Sequence, residues 1–140
     1  KGTLRRYAES MLEEGRIYGY LAFDGETAVG WCNAADKGAY VPNRYQFIPN
    51  FAYQNDAGKT MAIVCFSIAP GYRGKGVSTA LLERVVSDAK AAGYDAVEGY
   101  AHIRKAQEEF DFKGPEKLYA KLGFALAAEQ DGVALMRKTL

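Results

Sequence analysis

The stretch Pro70-Gly71-Tyr72-Arg73-Gly74-Lys75-Gly76-Val77-Ser78-Thr79 places three glycines and two cations between an apolar run and an amphipathic one. Glycines in such a turn let backbone N–H groups converge without Cβ interference, and a helix starting behind them adds about half a positive charge. The turn therefore suits a phosphate or pyrophosphate, with Arg73 and Lys75 adding formal charge. The nucleotide P-loop needs Gly-Lys followed by Ser or Thr, and because Gly76 follows Lys75 that reading fails. The dinucleotide fingerprint matches in part: Gly74 and Gly76 fit, Thr79 stands where the third glycine belongs, and Asp95 lies about 20 residues on. A chain of 140 residues lacks room for two mononucleotide-binding halves, and a hairpin precedes the motif.

Few other residues invite chemistry. His102 is the single histidine, and its side-chain type titrates in the range useful for proton transfer. Cys32 and Cys65 sit inside apolar runs and read as reduced core residues of an intracellular protein. Neither has a base beside it in sequence, so an acyl-enzyme on cysteine is not expected. No metal site is expected.

The composition bounds the rest. A 140-residue chain fits one domain, spanning 1–140, that buries roughly 68% of its unfolded surface. With 49% hydrophobic and 25% charged residues it has the balance of an ordinary globular protein. A net charge of +1, with Lys and Arg spread along the chain, argues against nucleic acid as a partner. No apolar run reaches the roughly 18 residues of a membrane span, and residues 1–14 are charged and amphipathic rather than signal-like, which points to the cytoplasm. Because the chain opens at Lys1, part of an N-terminal region is expected to be missing.

The elements that must position the turn follow from periodicity. Leu4, Tyr7, Ala8, Met11 and Leu12 recur at helical spacing, predicting a helix over 3–14. Strands are predicted over 17–23 and 26–34 as a hairpin across Asp24-Gly25. Residues 35–58 carry no period but many aromatics (Tyr40, Tyr45, Phe47, Phe51, Tyr53), either a lid on the core or a substrate-facing wall. Residues 61–69 are apolar on both faces apart from Ser67, as a central strand requires. Val77, Leu81, Leu82, Val85, Val86 and Ala89 predict a helix that stops at Gly93. A strand over 95–101, a short helix from Gly114-Pro115 to Gly123, and a hairpin of 124–129 with 133–137 across Asp131-Gly132 complete the chain.

Strand, glycine turn and helix together resemble the GNAT superfamily of N-acetyltransferases. Arg73, Gly76 and Ser78 fill its Gln/Arg-x-x-Gly-x-Gly/Ala signature, with serine a departure at the last place. Leu118-Tyr119-Ala120-Lys121-Leu122-Gly123-Phe124 looks like its C-terminal signature, and the order of elements also agrees. The resemblance implies an α/β (α+β) fold with a mixed, mostly antiparallel central sheet flanked by helices. It further implies direct transfer from acetyl-coenzyme A to an amine of a small molecule or peptide, in a ternary complex. Members are often dimers, which leaves a homodimer open.

Carried over residue by residue, the resemblance puts the cofactor on Arg73, Gly74, Lys75, Gly76, Val77, Ser78 and Thr79, with backbone groups of Phe66, Ser67 and Ile68 along the pantetheine arm. Tyr119 matches the general acid, and a phenol with a reference pKa of about 10 can protonate a thiolate whose conjugate acid is near 8.5. Glu98 stands where several members place a base, with His102 as the other candidate. Phe112 replaces an asparagine that many members use against the cofactor arm. Phe110-Asp111-Phe112 and the aromatic segment would wall the acceptor, and Asp36, Asp56, Glu108, Glu109 and Asp111 would favour a cationic one. The alternative reading is a catalytically weak acyl-coenzyme A sensor of the same fold.

Overall fold

The computed structural model describes residues 19–40, 48–54, 58–102 and 116–140. The predicted helix over 3–14 and the segment Phe110-Asp111-Phe112 lie outside these residues. Among the described residues, six strands form one sheet: β1 Gly19–Asp24, β2 Thr27–Asp36, β3 Thr60–Ile68, β4 Ala96–His102, β5 Ala125–Gln130 and β6 Val133–Thr139. Their order is β1-β2-β3-β4-β6-β5, and every neighbouring pair is antiparallel except β3 with β4. A parallel pair needs a crossover, and helix α1, Val77–Ala91, supplies it. Helix α2, Glu116–Lys121, follows β4. This is the expected mixed sheet flanked by helices.

Two turn readings fared differently. Asp24 pairs with Thr27, so the first hairpin turns on Gly25-Glu26 rather than Asp24-Gly25, with Gly25 at φ 61°. At the last hairpin both Asp131 (φ 53°) and Gly132 (φ 78°) take the positive φ that suits twisted strands. β2 continues to Asp36, two residues past its predicted end, and Ala34 and Ala35, on opposite faces of the strand, are both buried there.

Strand alternation sorts the core into two layers. Val97 and Ala101 of β4 face the helices with Leu82, Val85, Ala89 and Leu118. Tyr100 faces the other way, among Ile48, Ala52, Ala62, Val64 and Leu135. Tyr40, Phe51 and Tyr53 pack against that second layer, so these members of the aromatic segment act as its lid.

One irregularity controls the middle of the sheet. The β3–β4 ladder runs only from Thr60↔Ala96 to Ile63↔Gly99, although β3 continues to Ile68 and β4 to His102. On the β2 side Asn33 pairs with Cys65 and Ala34 with Ile63, which leaves Val64 as an extra residue. Such a bulge bends its strand and increases the twist. It also shifts the alternation, so that Ile63 and Phe66, three apart, both join the helix-side layer. β3 thus leaves β4 directly after the bulge, and the two strands splay.

Gly99 marks the vertex of the splay. A Cβ there would lie 2.3 Å from Cε1 and Cζ of Tyr119. Gly99→Ala should therefore overpack the vertex and cost about 1–3 kcal/mol, read as a lower urea midpoint at unchanged slope. An unchanged midpoint would mean that the Tyr119 ring is not held against β4.

Candidate active site at the splayed strands

The glycine turn leaves β3 at the end where the strands diverge. Pro70–Tyr72 forms a 3₁₀ turn, and Gly74 (φ 73°) and Gly76 (φ 82°) follow in the left-handed region. A Cβ at either position would meet nothing within 4 Å, so these glycines are required for backbone conformation rather than for room. Gly76 caps α1 without a side-chain hydrogen bond, and no acidic residue occupies the first turn. The N–H groups of Val77, Ser78 and Thr79 have no acceptor within the helix, an arrangement that fits a pyrophosphate.

The side chains of the turn anchor it. Arg73 Nε donates to the Ile68 carbonyl at 3.2 Å, tying the turn to the end of β3. Lys75 Nζ lies 5.6 Å from the centroid of the Tyr72 ring. Tyr72 Oη donates to Asp24 Oδ2 at 2.7 Å, and this carboxylate holds the phenol in its protonated form, pushing its pKa up. Beneath the first turn of α1, Val77 Cγ1 lies 2.7 Å from where a Cβ of Gly30 would stand, so β2 admits the helix only because residue 30 is glycine.

Phe66, Ser67 and Ile68 pair with Cys32, Trp31 and Gly30 of β2 and lie beyond the last β3–β4 pair. Their β4-facing edge is thus outside the ladder. Tyr119 is completely buried on the helix side of the vertex, its ring centroid 6.4 Å from that of Phe66 and 5.3 Å from that of Phe124. The end of α2 fixes it there. Phe124 N donates to Tyr119 O at 3.0 Å and Gly123 N to Ala120 O at 3.1 Å, with Gly123 at φ 87°. These bonds form a Schellman closure whose usual apolar contact is the Tyr119–Phe124 ring pair.

The Acetyltransferase (GNAT) family model matches residues 2–124. The chain belongs to the GNAT family of acetyltransferases. Among solved structures, the ribosomal-protein-alanine N-acetyltransferase of Brucella melitensis is similar at TM-score 0.60 and 15% identity, covering 99% of this chain and 78% of that one. A GNAT-family acetyltransferase of Listeria monocytogenes reaches TM-score 0.63 at 12% identity, covering 95% and 69%. yncA of Salmonella typhimurium, solved with acetyl-CoA, gives 0.57 at 18%, covering 96% and 70%. No curated protein matches the sequence.

In this GNAT chain the other predicted site residue, Glu98, is on the opposite face from Tyr119. The structure does not bring the two together. Glu98 is buried beside Tyr100, whose hydroxyl donates to Oε2 at 3.1 Å. Lys37 Nζ meets Oε2 at 3.0 Å and Arg137 Nη1 meets Oε1 at 2.7 Å. Lys37 is itself buried, donating to the Ala52 carbonyl and lying 5.2 Å from the Tyr53 ring centroid. Neither cation was found by sequence reasoning. Arg137 meets Glu98 only through the register Glu98↔Arg137, and nothing local marks Lys37 as buried.

The remaining candidates sort simply. His102 is exposed at the end of β4, and alternation puts it on the face of Glu98 and Tyr100. Asp36 accepts from Gly38 N at 2.9 Å and Tyr94 Oη at 3.1 Å, which makes it a cap and tether. Asp56, Glu108, Glu109, Asp111, Phe112, Tyr45 and Phe47 lie outside the described residues. Burial pushes the Cys32 and Cys65 thiols up, against use as nucleophiles. Among the described residues no group of acidic, His or Cys side chains could hold a metal, and no helix is long and apolar enough to cross a membrane.

The buried cluster generates a stability prediction. Lys37→Met leaves Glu98 with a single cation, and should cost about 3 kcal/mol, at the low end for a broken buried pair because Arg137 remains. Urea unfolding reads this loss, and Lys37→Met combined with Glu98→Gln should recover much of it. A loss below about 1 kcal/mol would show that Arg137 alone satisfies the carboxylate.

Proposed function

We propose that this chain transfers the acetyl group of acetyl-coenzyme A directly to an amine in a ternary complex, with Tyr119 as general acid. The observation that carries the reading is the position of Tyr119, buried against Gly99 where the β3–β4 ladder ends and next to Phe66. The cofactor supplies an activated acyl thioester. Its pyrophosphate would rest on the backbone of 73–79, and its arm along Phe66, Ser67 and Ile68. A backbone N–H of that edge aimed at the developing oxyanion contributes about 3 kcal/mol. The acetyl-CoA of the yncA structure supports this assignment, and the name of the Brucella enzyme supports an amine as acceptor.

The amine nitrogen forms a C–N bond as the C–S bond breaks; the sulfur takes the Tyr119 hydroxyl proton, which solvent restores. The amine gives up one proton on the opposite face. Glu98, expected as the base, has both oxygens engaged by cations, Oε2 by Lys37 and Oε1 by Arg137. We therefore give Glu98 a positioning role and leave the proton to exposed His102 or solvent. The two free cysteines support a reducing, cytoplasmic setting.

Tyr119→Phe should lower kcat by about 10² or more while acetyl-coenzyme A binding stays within about twofold. Thiol release against an amine panel gives kcat, and calorimetry gives the binding constant. Equal turnover in both proteins removes Tyr119 as the acid, and cofactor binding with no acceptor-dependent thiol release would favour a sensor.

A further inference from the structure

A cavity of about 400 Å³ opens on the sheet face opposite Tyr119. Glu98, Leu135 and Arg137 of the sheet line it, with Phe51 and Ala52 on one side and β5 residues up to Gln130 on the other. Phe66 and Tyr119 are packed into the core on the helix side of the vertex, which leaves the cavity side as the open approach to the splayed strands. Glu98 directly precedes Gly99, the last residue of the β3–β4 ladder, which brings the cavity next to the vertex.

Lys37 meets Glu98 at 3.0 Å and Arg137 meets it at 2.7 Å, so this cluster sets one carboxylate against two cations and carries a net positive charge. Such a cluster matches a carboxylate on the acceptor and not a polyamine. Arg137 commits only Nη1, to Glu98 Oε1 at 2.7 Å and Thr60 Oγ1 at 3.5 Å. Among the described residues nothing meets its Nε or Nη2, and its side chain is 28% exposed. A guanidinium with an unused edge is suited to receive a carboxylate in two parallel hydrogen bonds. Arg137 is level with Glu98, one residue from Gly99 at the vertex, so a carboxylate received there keeps an adjacent amine beside the splayed strands.

Resting on the transfer reading above, we propose that the acceptor is a free amino acid. Arg137 receives its carboxylate, which leaves its amine beside the splayed strands, and Phe51, Ala128 and Leu135 receive an apolar side chain. The ammonium loses one proton to His102 or solvent before attack; the amide C–N bond then forms as the acetyl C–S bond breaks, the nitrogen gives a second proton to solvent, and the leaving sulfur takes the Tyr119 proton, giving an N-acetyl amino acid and the thiol.

The test compares L-phenylalanine, L-methionine and L-leucine, each with its own carboxamide, by thiol release. The wild type should favour the amino acid by about tenfold or more in kcat/KM, and Arg137→Gln should bring that ratio to within about twofold of one, chiefly through KM. Acetyl-coenzyme A binding checks that the variant is folded; if it is not, Arg137→Lys keeps the charge on Glu98 but lacks the fork, and should also reduce the ratio. Calorimetry with N-acetyl-L-phenylalanine tests the carboxylate site without turnover, and binding there with no transfer to any amine would sink only the transfer reading. A wild-type ratio near one, a ratio that survives Arg137→Gln, or no binding of the N-acetyl probe would overturn the proposal.

Discussion

The extra residue Val64 is the constraint on which the rest of the site depends. A parallel ladder that continued past Ile63 and Gly99 would satisfy the backbone of β3 along both edges and leave no opening in the sheet. Because the bulge bends β3 away while its pairing with β2 persists to Ile68, the strand remains anchored on one edge only. The opening is therefore a property of backbone geometry, held by the neighbouring antiparallel strand.

Two glycines and a helix closure turn that opening into a site. Gly99 lets the Tyr119 ring lie against β4, and Gly30 lets the start of α1 approach β2. The Schellman bonds at Gly123 and Phe124 then limit where Tyr119 can stand. The conformational demands at Gly74 and Gly76 are different, since space is available there and only φ is unusual. Close approach fixes the Tyr119 ring, while left-handed backbone shapes the glycine turn.

The second face is governed by electrostatics instead of packing alone. A buried carboxylate is costly unless its charge is compensated, and Glu98 gains compensation from Lys37, Arg137 and Tyr100. Lys37 also joins the 3₁₀ turn at Ala52 and Tyr53 to the sheet, so the same charge that neutralises Glu98 anchors the aromatic lid. Tyr53 Oη donates to the Tyr40 carbonyl at 2.8 Å and Tyr40 Oη to Asn33 Oδ1 at 2.7 Å, extending that tie to β2.

The sequence by itself determined whatever depends on neighbours along the chain. Strand β3, helix α1, the Asp131-Gly132 turn and the glycine cradle were legible because periodicity and φ preference are local. The first hairpin slipped by one residue since Asp24-Gly25 and Gly25-Glu26 both offer the glycine a turn needs. Only the tertiary structure decided that Val64 is the bulged residue, that Tyr119 and Glu98 lie on opposite faces, and that Lys37 and Arg137 converge on one carboxylate. Those facts depend on register and on which face each strand presents, and a shift of one residue would reverse them without changing any local pattern.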